Sequence, residues 1–256
     1  MCLVLVMILS TRKSPFKSKY KAVILVYSSH NEEIYRNARE NWLRFKDSNP
    51  NFKVLFLYAG DPVKEYGLVK QDCDLIYDDL KESITGVVEK TQRGIKYASE
   101  NYEYDYIVRP NVTSILDLNA LDKYLDTLPK SNVYNGGIVV HNQKIPLVRG
   151  AMIIFSKDVA EKLIDTEIKY IDIEDVSIGN KMIELGVPAT DLDSKYYSIA
   201  ESYTEADIGQ MTNDIDNHTK NGAFWYRIRN YLKTTNRELV DKTYSEILLD
   251  KLYPTK

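Results

Sequence analysis

The stretch YEYDYIVRPNVTSILDL, Tyr102 to Leu118, decides the fold class, because an apolar strand there runs straight into a cluster of small polar residues. Tyr104, Tyr106, Ile107 and Val108 favour a pleated, buried strand, and Pro110 then removes a backbone donor and ends regular pairing. Arg109, Asn111, Thr113 and Ser114 are left at the strand's carboxyl end. In open α/β sheets ligands collect at that end, so these residues are candidates for a site. They also fit a polar turn leading into a helix over Leu116 to Thr127.

On the N-terminal side, AVILVYSS (Ala22 to Ser29) is a continuous run of the kind found in strands buried on both faces. Ser28, Ser29, His30 and Asn31 offer helix-capping side chains, and Ile34, Ala38, Trp42 and Phe45 then share one helical face. Two more strands are expected, FKVLFLYAG (Phe52 to Gly60) and DLIYDD (Asp74 to Asp79), followed by a helix over Ser83 to Glu100 that carries Lys90 and Arg93. Lone charges of that kind ordinarily belong to a solvated face. On the C-terminal side, VYNGGIVV (Val133 to Val140) and IPLVRGAMIIFS (Ile145 to Ser156) read as strands. The small Gly150 lets a ligand or another backbone approach closely, or marks a β-bulge. A helix opens on Asp172, Glu174 and Asp175, where acids ordinarily serve as capping and dipole partners. Residues 190–220 read as a long loop and Phe224 to Tyr253 as helical. Strands alternating with helices on short connections predict an α/β domain with a central, mostly parallel sheet flanked by helices.

Composition bounds the function. A chain of 256 residues with no Pro/Gly/Ser linker suits one domain over 22–256, preceded by a hydrophobic and basic segment over 1–21. A net charge of -3 and 44% apolar residues give no bulk footprint for nucleic acid. Cys2 and Cys73 are too few for a disulfide framework or a zinc site, which points to a reducing compartment and a cytoplasmic location. The opening MCLVLVMIL has eight apolar residues after Met1. A bilayer span needs about 20, so a first strand or a hydrophobic tail is expected and no transmembrane span. No glycine-rich phosphate loop, nucleophile elbow, HExxH or CxxC pair is present, and His30, His141 and His218 are scattered and read as surface or capping residues.

Four segments, taken in order, resemble glycosyltransferases of the GT-A fold, a Rossmann-like single domain, and most closely the fringe and beta-galactosyltransferase type with its relatives in large DNA viruses. IYRNARENW (Ile34 to Trp42) is similar to that family's early helix ending in Arg-x-x-Trp, here Arg39 and Trp42. YDYIVRPNVTSI (Tyr104 to Ile115) falls where the family carries a basic residue and then its acidic metal motif. IPLVRGAMIIFSKDVAEKL (Ile145 to Leu163) matches a Gly-containing turn, a strand and an Asp-led helix, and IEDVSIGNKMIELGV (Ile173 to Val187) matches a Glu-Asp-Val-x-x-Gly motif whose Asp sits near the acceptor.

The resemblance implies an inverting transfer of a sugar from a nucleotide-diphosphate donor to a hydroxyl of a glycan or glycosylated protein. It assigns Asp175 as general base with Glu174 in support, and Ser28, Ser29, Arg39, Lys90, Arg109, Asn111, Thr113, Gly150, Arg227 and Arg229 as donor-binding candidates. One departure stands out: Asn111, Val112 and Thr113 occupy the positions of the family's DxD. Neither Asn nor Thr supplies the anionic oxygens that a hard cation prefers, which counts against manganese or magnesium dependence. The expectation is then that arginines offset the diphosphate charge, with Arg227 placed first. An inactive scaffold of the same fold that binds a carbohydrate or a protein is the rival expectation; it would not hydrolyse or transfer from any nucleotide sugar.

Overall fold

The computed structural model describes residues 17–141, 145–171, 173–200, 208–228 and 237–254. The expectations for the apolar opening segment and for Arg229 lie outside these residues. In chain order the elements are β1 (Ser18–Tyr27), α1 (Glu33–Phe45), β2 (Phe52–Ala59), α2 (Pro62–Tyr66), β3 (Asp74–Tyr77), α3 (Val87–Asn101) and β4 (Tyr102–Pro110). They continue with β5 (Ser114–Leu116), α4 (Leu118–Leu125), β6 (Tyr134–Gly136), β7 (Ile138–His141), β8 (Ile145–Val148), β9 (Met152–Ser156), α5 (Lys157–Ile164) and α6 (Glu174–Glu184). The last are β10 (Ala189–Asp191), β11 (Tyr197–Ala200), α7 (Ile208–Lys220), β12 (Trp225–Ile228) and α8 (Arg237–Leu252).

Seven strands form one sheet in the order β10-β6-β9-β4-β1-β2-β3. Only β9 runs against the others, pairing antiparallel with both β4 and β6. The alternation of β1 explains the layers. Ala22, Ile24 and Val26 join a core with Trp42 and Phe45 of α1, Leu121 of α4 and Leu248 of α8. Val23 and Leu25 face the other way, onto Ile95 of α3, Val159 of α5 and Ile178 of α6. A strand covered on both faces has no polar side to present, which accounts for the unbroken apolar run in the sequence. Among the described residues no helix is long and apolar enough to cross a membrane.

Local readings changed in five places. β1 begins at Ser18, before the apolar run, because Ser18 and Lys19 extend the pairing with Tyr102 and Glu103; the expected boundary at residue 22 therefore cuts a strand. The helix expected from Leu116 starts at Leu118, since the Asp117 carboxylate accepts from the backbone N–H groups of Asn119 and Ala120. This leaves Ser114–Leu116 to pair with β12. The Gly-interrupted strand splits into β6 in the main sheet and β7 in a hairpin with β8. A Cβ on Gly136 would collide with Val148 and with the Met152 carbonyl, so only glycine fits where the chain changes sheets.

The expected long loop over 190–220 holds β10, β11 and α7 instead. Met211 and Ile215 are the buried anchors of α7, one helical turn apart, and its polar remainder hid the period. Trp225–Ile228, expected to be helical, is the central strand of a three-stranded sheet ordered β11-β12-β5.

Candidate active site

β1 and β4 lie side by side in parallel, Ala22 opposite Tyr106 and Ile24 opposite Val108, so their carboxyl ends emerge together. Tyr27 bridges to Asn111 there. The Val112 N–H donates to the Tyr27 carbonyl at 2.9 Å. Its C=O accepts from the Trp42 indole N–H at 2.9 Å. With both backbone groups of Val112 held, Asn111 and Thr113 are displayed on either side of a fixed point. They line a cleft of about 370 Å³ together with Tyr27, Ser29, Asn31, Glu32, Tyr35, Glu82 and Arg227, a size ordinary for a small-molecule site.

Beside this cleft lie two buried cations, Lys90 paired with Glu82 and Arg109 paired with Glu174. Lys90 Nζ donates to the Ser28 carbonyl at 3.0 Å and to both Glu82 oxygens at 3.1 and 3.0 Å. Burial pulls the ammonium down to about 8, against the attraction of Glu82. The solvated face expected for Lys90 is therefore not what forms: the side chain is 1% exposed. Its Nζ sits 3.9 Å from the centre of the Tyr27 ring, and the Arg109 guanidinium lies 4.9 Å from the same ring. Burial and the Glu82 carboxylate hold the Tyr27 phenol well above its ordinary value.

Arg109 ties three segments together. Nη2 donates to Glu174 Oε2 at 2.6 Å, and Nη1 donates to the Gly150 carbonyl and to Asn111 Oδ1, the latter at 3.2 Å. Glu174 also accepts from Thr91 Oγ1 at 3.3 Å. Burial raises the Glu174 carboxyl to about 7 in spite of the guanidinium beside it. Next in the chain, Asp175 lies against Gly150, where an added Cβ would meet its Oδ1. The β8–β9 turn, the end of β4 and the first turn of α6 are thus one connected unit.

The candidates divide accordingly. Ser29, Asn111, Thr113 and Arg227 line the cleft. Ser28, Lys90, Arg109, Gly150 and Glu174 form the buried layer beside it, and Asp175 adjoins that layer at Gly150. Arg109 was expected to meet a diphosphate, yet its guanidinium is already engaged by Glu174, Gly150 and Asn111. Arg39 stands apart from the walls: it is buried, paired to Asp74 at 2.8 Å and packed over Phe56. His30 is buried rather than at the surface, its imidazole held below the ordinary value by burial and by Arg39. Ser29 does not cap α1, whose N-cap Glu32 makes no side-chain capping bond; its Oγ donates to Asn31 Oδ1 at 2.7 Å. Tyr27, Glu82 and Thr91 have no site role in the sequence reading, and Asn31 only a helix-capping one. The polar run after a buried strand was a signal for Asn31, whereas nothing local marks Glu82 or Thr91.

A divalent cation does not suit the donor set at the end of β4. Asn111 turns its oxygen to Arg109, Thr113 carries no charge, and among the described residues no group of three His, Cys, Asp or Glu side chains is placed to hold a metal.

No protein-family model matches the chain, and no curated protein sequence does. Solved structures do resemble it. A glycosyltransferase involved in the glycosylation of the major capsid of PBCV-1 superposes with a TM-score of 0.53 at 8% identity, over 88% of this chain and 99% of that one. The glycosyltransferase GlyE of Streptococcus pneumoniae TIGR4 gives 0.49 at 13% identity, over 92% of this chain and 63% of its own. LgtC, a galactosyltransferase solved with donor and acceptor sugar analogs, gives 0.42 at 8% identity, over 88% and 95%. The superposition on the capsid-glycosylating enzyme and the seven-stranded, mostly parallel sheet agree: this chain has the GT-A fold found in glycosyltransferases.

Proposed function

We propose that the chain transfers a sugar from a nucleotide-diphosphate donor to a hydroxyl of a glycan or glycosylated protein, with inversion at the anomeric carbon. One observation carries this reading. Arg109 joins the strand end that lines the cleft to the Glu174–Asp175 turn, so a donor-binding wall and a candidate base belong to one rigid unit. In the reaction the acceptor oxygen forms a bond to the anomeric carbon as the bond to the diphosphate oxygen breaks. Asp175 takes the acceptor's proton, and the nucleoside diphosphate leaves with the bonding pair. Glu174 supports Asp175 through the ion pair with Arg109. Charge building on the leaving group is offset by Arg227, the cationic side chain among the described cleft walls, whose planar fork suits phosphate oxygens.

The test is a panel of nucleotide sugars assayed for hydrolysis and transfer in the presence of EDTA. Turnover is expected to survive the chelator and to fall sharply in Arg227→Ala. Asp175→Asn should keep donor binding and lose a factor of about 100 to 10,000 in turnover. Near-normal turnover in that variant would return Asp175 to a structural role. A protein that neither hydrolyses nor transfers from any donor would be a binding scaffold, and the proposal would fail.

A further inference from the structure

We infer that Asn111 and Asn31 bind ligand phosphate oxygens directly through their amide N–H groups, so that this cleft grips a diphosphate with fixed hydrogen-bond donors where a carboxylate would need a metal. The inference rests on the donor reading above and specifies how that donor is held.

The orientation of Asn111 is decided by its neighbour. A guanidinium has five donors and no acceptor, so the Asn111 atom facing Arg109 Nη1 at 3.2 Å must be the oxygen. The NH₂ end is therefore turned away from Arg109. At Asn31 the Oδ1 accepts from Ser29 Oγ at 2.7 Å, which leaves the NH₂ group on the other side of the amide. Both asparagines line one cleft. Among the described residues neither Nδ2 donates to a protein acceptor. Two amides, each with its acceptor end consumed internally, present donors to the same space as Arg227.

Donors of this kind select a ligand rich in acceptor oxygens, and the acids of the cleft do not cancel the preference. Glu82 has both oxygens occupied: Oε1 accepts from the Tyr27 hydroxyl at 3.2 Å and from Lys90 at 3.1 Å, and Oε2 from Lys90 at 3.0 Å and the Ala59 N–H at 3.4 Å. Glu32 is exposed at the rim. An aspartate at position 111 would reverse the site. One oxygen would still face Arg109, but the other would present negative charge to the phosphate, and a divalent cation would be needed between them.

Calorimetric titration with inorganic pyrophosphate and with UDP, in EDTA and again with manganese, separates the cases. The wild-type chain should bind both probes equally well in either condition. In EDTA, Asn111→Ala should weaken binding about tenfold and Asn111→Asp about a hundredfold, with manganese restoring part of the loss in the aspartate variant. Asn31→Asp, at an exposed position that leaves the core untouched, should lose about tenfold in EDTA, so the inference does not depend on the half-buried Asn111 variants folding. Undiminished EDTA affinity in both aspartate variants would overturn the inference and leave the transferase reading standing. Wild-type binding that appears only with manganese would overturn it too. A wild-type chain that binds neither probe under any condition would overturn the transferase reading and this inference together.

Discussion

At position 150 an added Cβ would collide with Asp175 Oδ1 and lie 3.0 Å from Glu174 Oε2. Gly150 therefore works by lacking a side chain: it lets the first turn of α6 close onto the β8–β9 turn, and its carbonyl accepts from Arg109. Gly150→Ala should displace Asp175 rather than alter any ligand contact. The expected result is a loss of about 1–3 kcal/mol in stability from overpacking, measured by urea unfolding, with a drop in turnover larger than any drop in donor affinity. Unchanged turnover would show that Asp175 tolerates displacement and so does no proton transfer. Arg39 illustrates the opposite case. Its pairing with the fully buried Asp74 makes it part of the fold, although its sequence context resembled that of a donor-binding arginine.

The element that most changes the reading of the site is β12. As a strand it sends alternate side chains to opposite sides. Arg227 lines the cleft at the end of β4, and Tyr226 lines a separate hollow of about 470 Å³ between α1 and α8. β12 is fixed against β5 by the register Trp225 to Leu116 and Arg227 to Ser114, and by the Trp225 indole N–H donating to Ser114 Oγ at 3.0 Å. Ser114→Ala would strand that buried N–H. The expected cost is about 1–3 kcal/mol, seen as a lower denaturation midpoint, together with weaker donor binding because Arg227 loses its anchor. A variant as stable as the parent would mean that the indole finds another acceptor and that β12 is held by backbone pairing alone.

For the whole molecule, the two buried acid–base pairs beside the cleft give stability a definite pH dependence. Glu174 is raised from 4.5 to about 7, so the native state holds the extra proton between those values. Its contribution is fully present below about pH 4.5 and is lost as pH rises through about 7. Lys90 is lowered from 10.5 to about 8, so between those values the unfolded chain holds the extra proton and stability rises with pH. These two groups together place their least favourable range between about pH 7 and 8. Glu174→Gln removes the acidic limb. Unfolding free energies of the parent, measured relative to this variant, should decline from about pH 4.5 to about 7; a flat difference would mean that Glu174 stays ionised throughout.

The sequence by itself determined the layered α/β domain, because apolar runs such as Ala22 to Val26 and Tyr106 to Val108 admit only strands covered on both faces, and the helices between them carry one buried stripe each. It also marked the polar strand end at Asn111 and Thr113, although Pro110 does not stop the pairing as expected: it lies opposite Met152 in β4, and Asn111 still bridges to Tyr27. The short elements were decided elsewhere. Ser114–Leu116, Trp225–Ile228 and Met211 with Ile215 have too few residues to show a period, and each is set by partners more than eighty residues away or by the core it meets. The same holds for the site's inner layer. Arg109 and Glu174, 65 positions apart, and Lys90 with the Ser28 carbonyl, 62 apart, are joined only because β1 and β4 lie side by side and α3 and α6 pack on the same face of the sheet. No local pattern can distinguish a lysine buried on such a partner from one on a solvated helix face, because the energy that buries it comes from groups that the chain reaches only after folding.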